Sequence, residues 1–98
     1  MSIVVSYNPP SLTTGQYEEA DRLLRDAGVD PLPDGLEYHV CFGSEGNLRV
    51  SEIWASREQF EAYGKELSEM PVLAEIPIDS GGPPEVFEVH KLRQRSRG

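Results

Sequence analysis

Two short alternating runs meet at a glycine-bearing turn and pass directly into a helix start across residues 36–60, and no other stretch constrains this chain as tightly. Leu36, Tyr38, Val40 and Phe42 share one parity, and Glu37, His39 and Cys41 share the other, the period-two pattern of a half-buried strand. In the second run Leu48, Val50 and Trp54 alternate with Arg49, Ser51 and Ile53. Between the runs, Gly43, Gly46 and Asn47 supply residues that tolerate positive φ, which predicts an antiparallel hairpin. Ser56 and Gln59 then stand at capping-box spacing and open a helix.

The remaining elements follow in order. Ile3, Val4 and Val5 begin a β-branched strand that Pro9 and Pro10 terminate. Thr13 and Gln16 form a second capping-box pair, after which Tyr17, Ala20, Leu23, Leu24 and Ala27 recur at helical spacing until Gly28. Glu18 with Arg22, and Asp21 with Arg25, are acid-first i,i+4 pairs that mark its solvent face. Phe60, Tyr63, Leu67 and Met70 form an amphipathic stripe on the second helix, and Pro71 suits the first turn of a separate short helical piece. Residues 78–84 read as a Gly/Pro loop able to cover a pocket mouth, and residues 85–92 as a last strand.

The order is thus β-α-β-β-α-β, which predicts an α+β, ferredoxin-like fold: a four-stranded antiparallel sheet with two helices on one face. Residues 1–92 form the single domain, and residues 93–98 a basic, flexible tail. Alternation groups Tyr38, Val40, Phe42, Phe87 and Val89 with Ile3, Val5, Tyr7, Leu48 and Val50 beneath the helices. The other face then collects Val4, Ser6, Asn8, His39, Cys41, Arg49, Ser51, Ile53, Val86, Glu88, His90 and Leu92, and a single bulge would exchange the two. That second face is mixed and too apolar to be wholly solvent-facing, which predicts a homodimer built on it.

Charge and composition narrow the function classes. The body through His90 carries all seventeen acids against five bases, a net of −12 that repels phosphate backbones and argues against nucleic acid as a partner. The remaining four bases lie in the closing residues, a solvated end. No apolar run is long enough to span a membrane and no signal-peptide pattern opens the chain, so a cytoplasmic protein without a membrane partner is expected. Cys41, the one cysteine, reads as a small buried hydrophobe rather than a nucleophile. Two histidines without acids at ligand spacing predict no metal site, and no phosphate loop or nucleophile elbow is present.

The run YHVCFGSEGNLRVSEIWASREQFEAY carries a resemblance. With Trp54 and Ser56 in a Trp-x-Ser pattern and Phe60 in the capped helix behind them, it resembles the hairpin-and-helix segment of the antibiotic biosynthesis monooxygenase group of the dimeric α/β-barrel superfamily. The resemblance implies two sheets facing each other as a dimeric α/β barrel, with a pocket in each subunit between helices and sheet. It also implies that Asn8 and Trp54, at the ends of the first and third strands, contact a hydrophobic or aromatic ligand. Haem-degrading members resemble one another in an iron-ligating His on or after the second helix, a position without a His here, so no cofactor is expected.

His39 and His90 are the groups that titrate near neutral pH, and either could act as the general base that deprotonates a phenol or enol and makes it reactive toward oxygen. The alternative is a non-catalytic ligand-sensing or interaction module of the same topology. For Trp54 the plain reading is a core-edge filler, for Asn8 turn chemistry ahead of two prolines, and for the histidines satisfied strand positions.

Overall fold

A computed structural model describes residues 1–78 and 81–95. Its elements are β1 (Ile3–Tyr7), α1 (Thr14–Asp26), β2 (Leu36–Ser44), β3 (Asn47–Trp54), α2 (Arg57–Ser68), a 3₁₀ turn at Pro71–Glu75, and β4 (Glu85–Glu88). The strands form one sheet in the order β2-β3-β1-β4, with every neighbouring pair antiparallel, which is the ferredoxin-like arrangement the element order predicts.

Both helix starts are fixed by their own side chains. At α1 the capping box is complete: Gln16 N–H donates to Thr13 Oγ1 at 3.1 Å and Thr13 N–H donates to Gln16 Oε1 at 3.0 Å. Its end is a Schellman motif, with Gly28 at φ +87° and the Val29 and Gly28 N–H groups donating to the carbonyls of Leu24 and Arg25, both at 2.9 Å. At α2 the Ser56 hydroxyl accepts from Gln59 N–H at 3.2 Å, but the Gln59 side chain meets the Ser56 hydroxyl instead of its N–H. On the outer face of α1, Asp21 pairs with Arg25 at 2.5 Å as expected. Arg22 departs from expectation and pairs with Glu19 and Asp26 rather than Glu18.

The core is built on Ile3, Val5 and Trp54, with Tyr7, Leu36, Phe60, Tyr63 and Val86 packed around them. Trp54 has no exposed surface, and its ring meets Phe60 edge-on at 5.7 Å and Tyr63 at 5.4 Å. The stripe on α2 therefore closes on the indole, and truncating Trp54 would cost about 3–5 kcal/mol.

Facing is where the structure overturns the alternation pattern. Leu36 lies opposite Trp54, and the next paired residue of β2 is Tyr38 opposite Ile53, so Glu37 is an extra residue in the ladder. That bulge reverses parity for the rest of the strand. His39 and Cys41 share the helix side with Glu52 and Val50, while Tyr38, Val40 and Phe42 turn to the open face, 48%, 40% and 44% exposed. β4 is reversed as well: Val86 lies opposite Val5 and joins the core, leaving Phe87 54% exposed opposite Val4. Its two parities are both apolar, so its phase follows the register on β1, which its own sequence does not set. β4 is also shorter than residues 85–92. β1 offers it partners from Ser6 back to Ile3, one further bond joins Val89 N–H to the Ser2 carbonyl at 3.0 Å, and the ladder ends there.

Of the 78–84 loop, Asp79 and Ser80 lie outside the described residues, and Gly81 rests against Pro10 and the Asn8 carbonyl. In the tail, Arg93 and Arg95 are exposed, and residues 96–98 lie outside the described residues.

Gly35, just before the bulge, sets the entry of β2. Its φ is +92°, its carbonyl accepts from Ala55 N–H at 2.7 Å, and an added Cβ would stand 2.6 Å from Gln59 Cδ. A Gly35→Ala substitution is expected to destabilise the fold by about 2 kcal/mol, combining positive-φ strain with displacement of Gln59. Urea unfolding checks this, with a lowered midpoint at unchanged slope.

Candidate functional site

Glu52 lies in the middle of β3 with the parity of Val50 and Trp54, so its carboxylate enters the space beneath the helices and is only 12% exposed. A carboxylate there requires donors, and it has two. Trp54 Nε1–H donates to Oε1 at 3.1 Å, and His39 Nδ1 meets Oε2 at 2.6 Å. His39 is the residue directly opposite Glu52 in the β2–β3 register, so this hydrogen bond joins a cross-strand pair on the covered face. From α1, Tyr17 stacks over the imidazole at 6.1 Å, and its hydroxyl lies 2.7 Å from Nε2. The result is a continuous hydrogen-bonded chain, Trp54–Glu52–His39–Tyr17, running from the core to the side chain of His39, which is 29% exposed.

An indole N–H is a donor only and a carboxylate an acceptor only, so the chain has one consistent polarity when the imidazole is neutral. His39 Nδ1–H then donates to Glu52, and Nε2 accepts from the Tyr17 hydroxyl. The hydrogen bond to Glu52 raises the His39 pKa, against partial burial which lowers it, and the charge of Glu52 adds to the rise. The surrounding phenols are held protonated. Burial and then the Glu52 charge raise Tyr7 and Tyr63, and burial is the main cause at Tyr17. Burial followed by the Glu18 charge raises the Cys41 thiol, which weakens it as a nucleophile.

The structure joins two of the residues singled out in the sequence and separates the other two. His39 and Trp54 are linked through Glu52, but Trp54 is wholly buried within the core. Asn8 is exposed beyond the end of β1. His90 is exposed beyond β4, on the sheet edge opposite β2, with three strand spacings of about 4.8 Å each between those edges. Glu52 and Tyr17 were not singled out. Counting back from a turn centred on Glu45-Gly46 places His39 opposite Glu52, which was the available signal.

Neither of two concavities in the structure is lined by His39 or Glu52. One of about 220 Å³ lies beside Met1, Ile3 and the start of α2, and one of about 170 Å³ lies between the segment after α1 and α2. Among the described residues no three His, Cys, Asp or Glu side chains come together to hold a metal ion, and no helix is long and apolar enough to cross a membrane.

No protein-family model matches the chain, and no curated protein matches it in sequence. Among solved structures it is similar to a protein of Chloroflexus aurantiacus J-10-fl, provisionally described as an antibiotic biosynthesis monooxygenase. The two share 19% identity over 99% of this chain and 97% of the other, with a TM-score of 0.49. The topology rests on the strand order and register above, independently of that likeness.

The raised His39 pKa has a defined consequence for stability. Its contribution is fully present below the ordinary histidine value of 6.5 and is lost as pH rises through the higher folded value. In Glu52→Gln the amide keeps an acceptor for Trp54 but removes the charge. The His39 resonance is then expected to titrate at lower pH by NMR, and the fall in melting temperature on raising pH through that range is expected to flatten.

Proposed function

We propose that this chain is a homodimeric α/β protein that binds a hydrophobic or aromatic metabolite and removes a proton from it at His39. The observation that carries this reading is the double hydrogen bonding of His39, to Glu52 at 2.6 Å and to Tyr17 at 2.7 Å, on a side chain that remains 29% exposed. Glu52 fixes the ring and its tautomer, which leaves Nε2 as the basic atom. A phenol or enol that replaces the Tyr17 hydroxyl at Nε2 would lose its proton there.

The resulting anion is a carbon nucleophile toward dioxygen. Carbon–oxygen bond formation gives a peroxide, and His39 returns the proton to its outer oxygen. Loss of water then converts a C–H carbon to C=O, with one oxygen atom in the product and the other in water. The sequence resemblance to the monooxygenase group supports this direction. Trp54 serves here by donating to Glu52 from the core, and neither Asn8 nor His90 is needed.

Pairing is supported by the open face. Tyr38, Val40, Phe42 and Phe87 are each 40% exposed or more on one side of the sheet, an apolar surface that a second copy would cover. A Val40→Asp substitution is expected to convert a dimer into a folded monomer in sedimentation analysis. A wild-type monomer at micromolar concentration would exclude this interface.

For the chemistry, 1-naphthol is a suitable probe. Wild type is expected to show saturable shifts of the His39 and Tyr17 resonances and oxygen uptake, and His39→Gln to lose the uptake by about a hundredfold. Shifts without uptake would favour the ligand-sensing alternative. The absence of saturable shifts would remove His39 as a ligand site.

A further inference from the structure

The concavity between the segment after α1 and α2 has a composition that matches one ligand chemistry. Val29, Leu67, Met70 and Tyr63 line it together with two carboxylates from separate elements, Asp30 and Glu66, so that polar and apolar surface contribute alike. No basic side chain lines it. Asp30 uses Oδ1 to accept the Leu32 N–H at 2.9 Å, which holds the carboxylate in place and leaves Oδ2 for a ligand. Glu66 makes no ion pair among the described residues.

Tyr63 connects the groove to the core. Its ring packs on Trp54 at 5.4 Å, and its hydroxyl stays protonated through burial and the charges of Glu52, Glu66 and Asp30. An electron-rich ring beside two carboxylates favours a positive charge twice, through the ring face and through charge pairing. The volume of about 170 Å³ equals roughly six water molecules, which limits the occupant to a small molecule. With two carboxylates and no third metal-binding side chain assembled among the described residues, the donor set suits an organic cation better than a divalent metal ion.

We propose that this groove binds a small organic ammonium, its charge between Asp30 and Glu66 and its short apolar or aromatic body against Tyr63, Leu67 and Met70. The proposal is independent of proton abstraction at His39, and the two fail separately.

The test is amide NMR titration of the full chain with three probes of one shape: benzylammonium, benzyl alcohol and benzoate. Benzylammonium is expected to produce saturable shifts centred on residues 28–33 and 63–70, weakened by added salt, with benzyl alcohol weaker and benzoate inert. Glu66→Gln is expected to weaken benzylammonium binding by roughly threefold or more. Asp30→Asn, which retains the oxygen that accepts from Leu32, is expected to do the same. Equal affinity for benzyl alcohol, affinity unchanged in the Asp30→Asn/Glu66→Gln double variant, or absence of saturation with benzylammonium would each overturn the proposal. The His39 resonances serve as an internal control and are expected to remain unmoved.

Discussion

The hydrogen bond between Glu52 and His39 depends on almost everything else in the fold and makes the same demand in return. A carboxylate that is only 12% exposed beneath the helices must find donors or lose its charge, and both of its oxygens are engaged. Stripping one partner from a fully buried pair costs about 3–5 kcal/mol. Here the cost is lower because water still reaches His39, which is 29% exposed. The donors come from a residue two positions along the same strand and from the residue directly across the ladder, so neither has freedom to drift. Tyr17 closes the chain from α1, and the position of α1 is itself fixed by Thr13 and Gln16 at its start and by Glu45 of the β2–β3 turn, whose carboxylate accepts from the Thr14 N–H at 2.9 Å. That contact holds the Glu45 pKa below its ordinary value, chiefly through the Thr14 hydroxyl. The hairpin therefore presents the acid and also anchors the helix that covers it.

What could be read from the sequence was whatever is decided locally. The capping box at Thr13 and Gln16, the Gly28 stop, the hairpin and the short helical piece after Pro71 each depend on a few adjacent residues, and each forms where the pattern put it. The facing of the edge strands is not decided locally. Alternation in β2 is unbroken as a string, yet Glu37 is an unpaired residue in space, and nothing in its identity marks it. In β4, Val86 and Phe87 are both apolar, so pairing with Val5 and Val4 chooses the inward residue.

The same distinction accounts for the site. His39 was visible as one of the two groups able to titrate near neutral pH, and Trp54 as a large ring at a strand end. The residue that joins them, Glu52, is an ordinary acid in an acid-rich chain until its partner across the sheet is known. Trp54 illustrates the opposite limit: position predicts that it contacts something important, and packing decides that its surroundings are Phe60, Tyr63 and Ile3 rather than solvent.

A single inserted residue thus ties together the two sides of the sheet. By reversing the parity of β2, Glu37 turns His39 inward to meet Glu52 and in the same step turns Tyr38, Val40 and Phe42 outward. Without the bulge, those three side chains would enlarge the core, Glu52 would lose its cross-strand donor, and the open face would carry an imidazole and a thiol instead of an apolar patch. An inward polar chain and an outward apolar surface are therefore alternatives to their exact opposites, selected by one residue. Any change that removes the bulge must alter the candidate site and the candidate interface together, which makes the two physically inseparable in this fold.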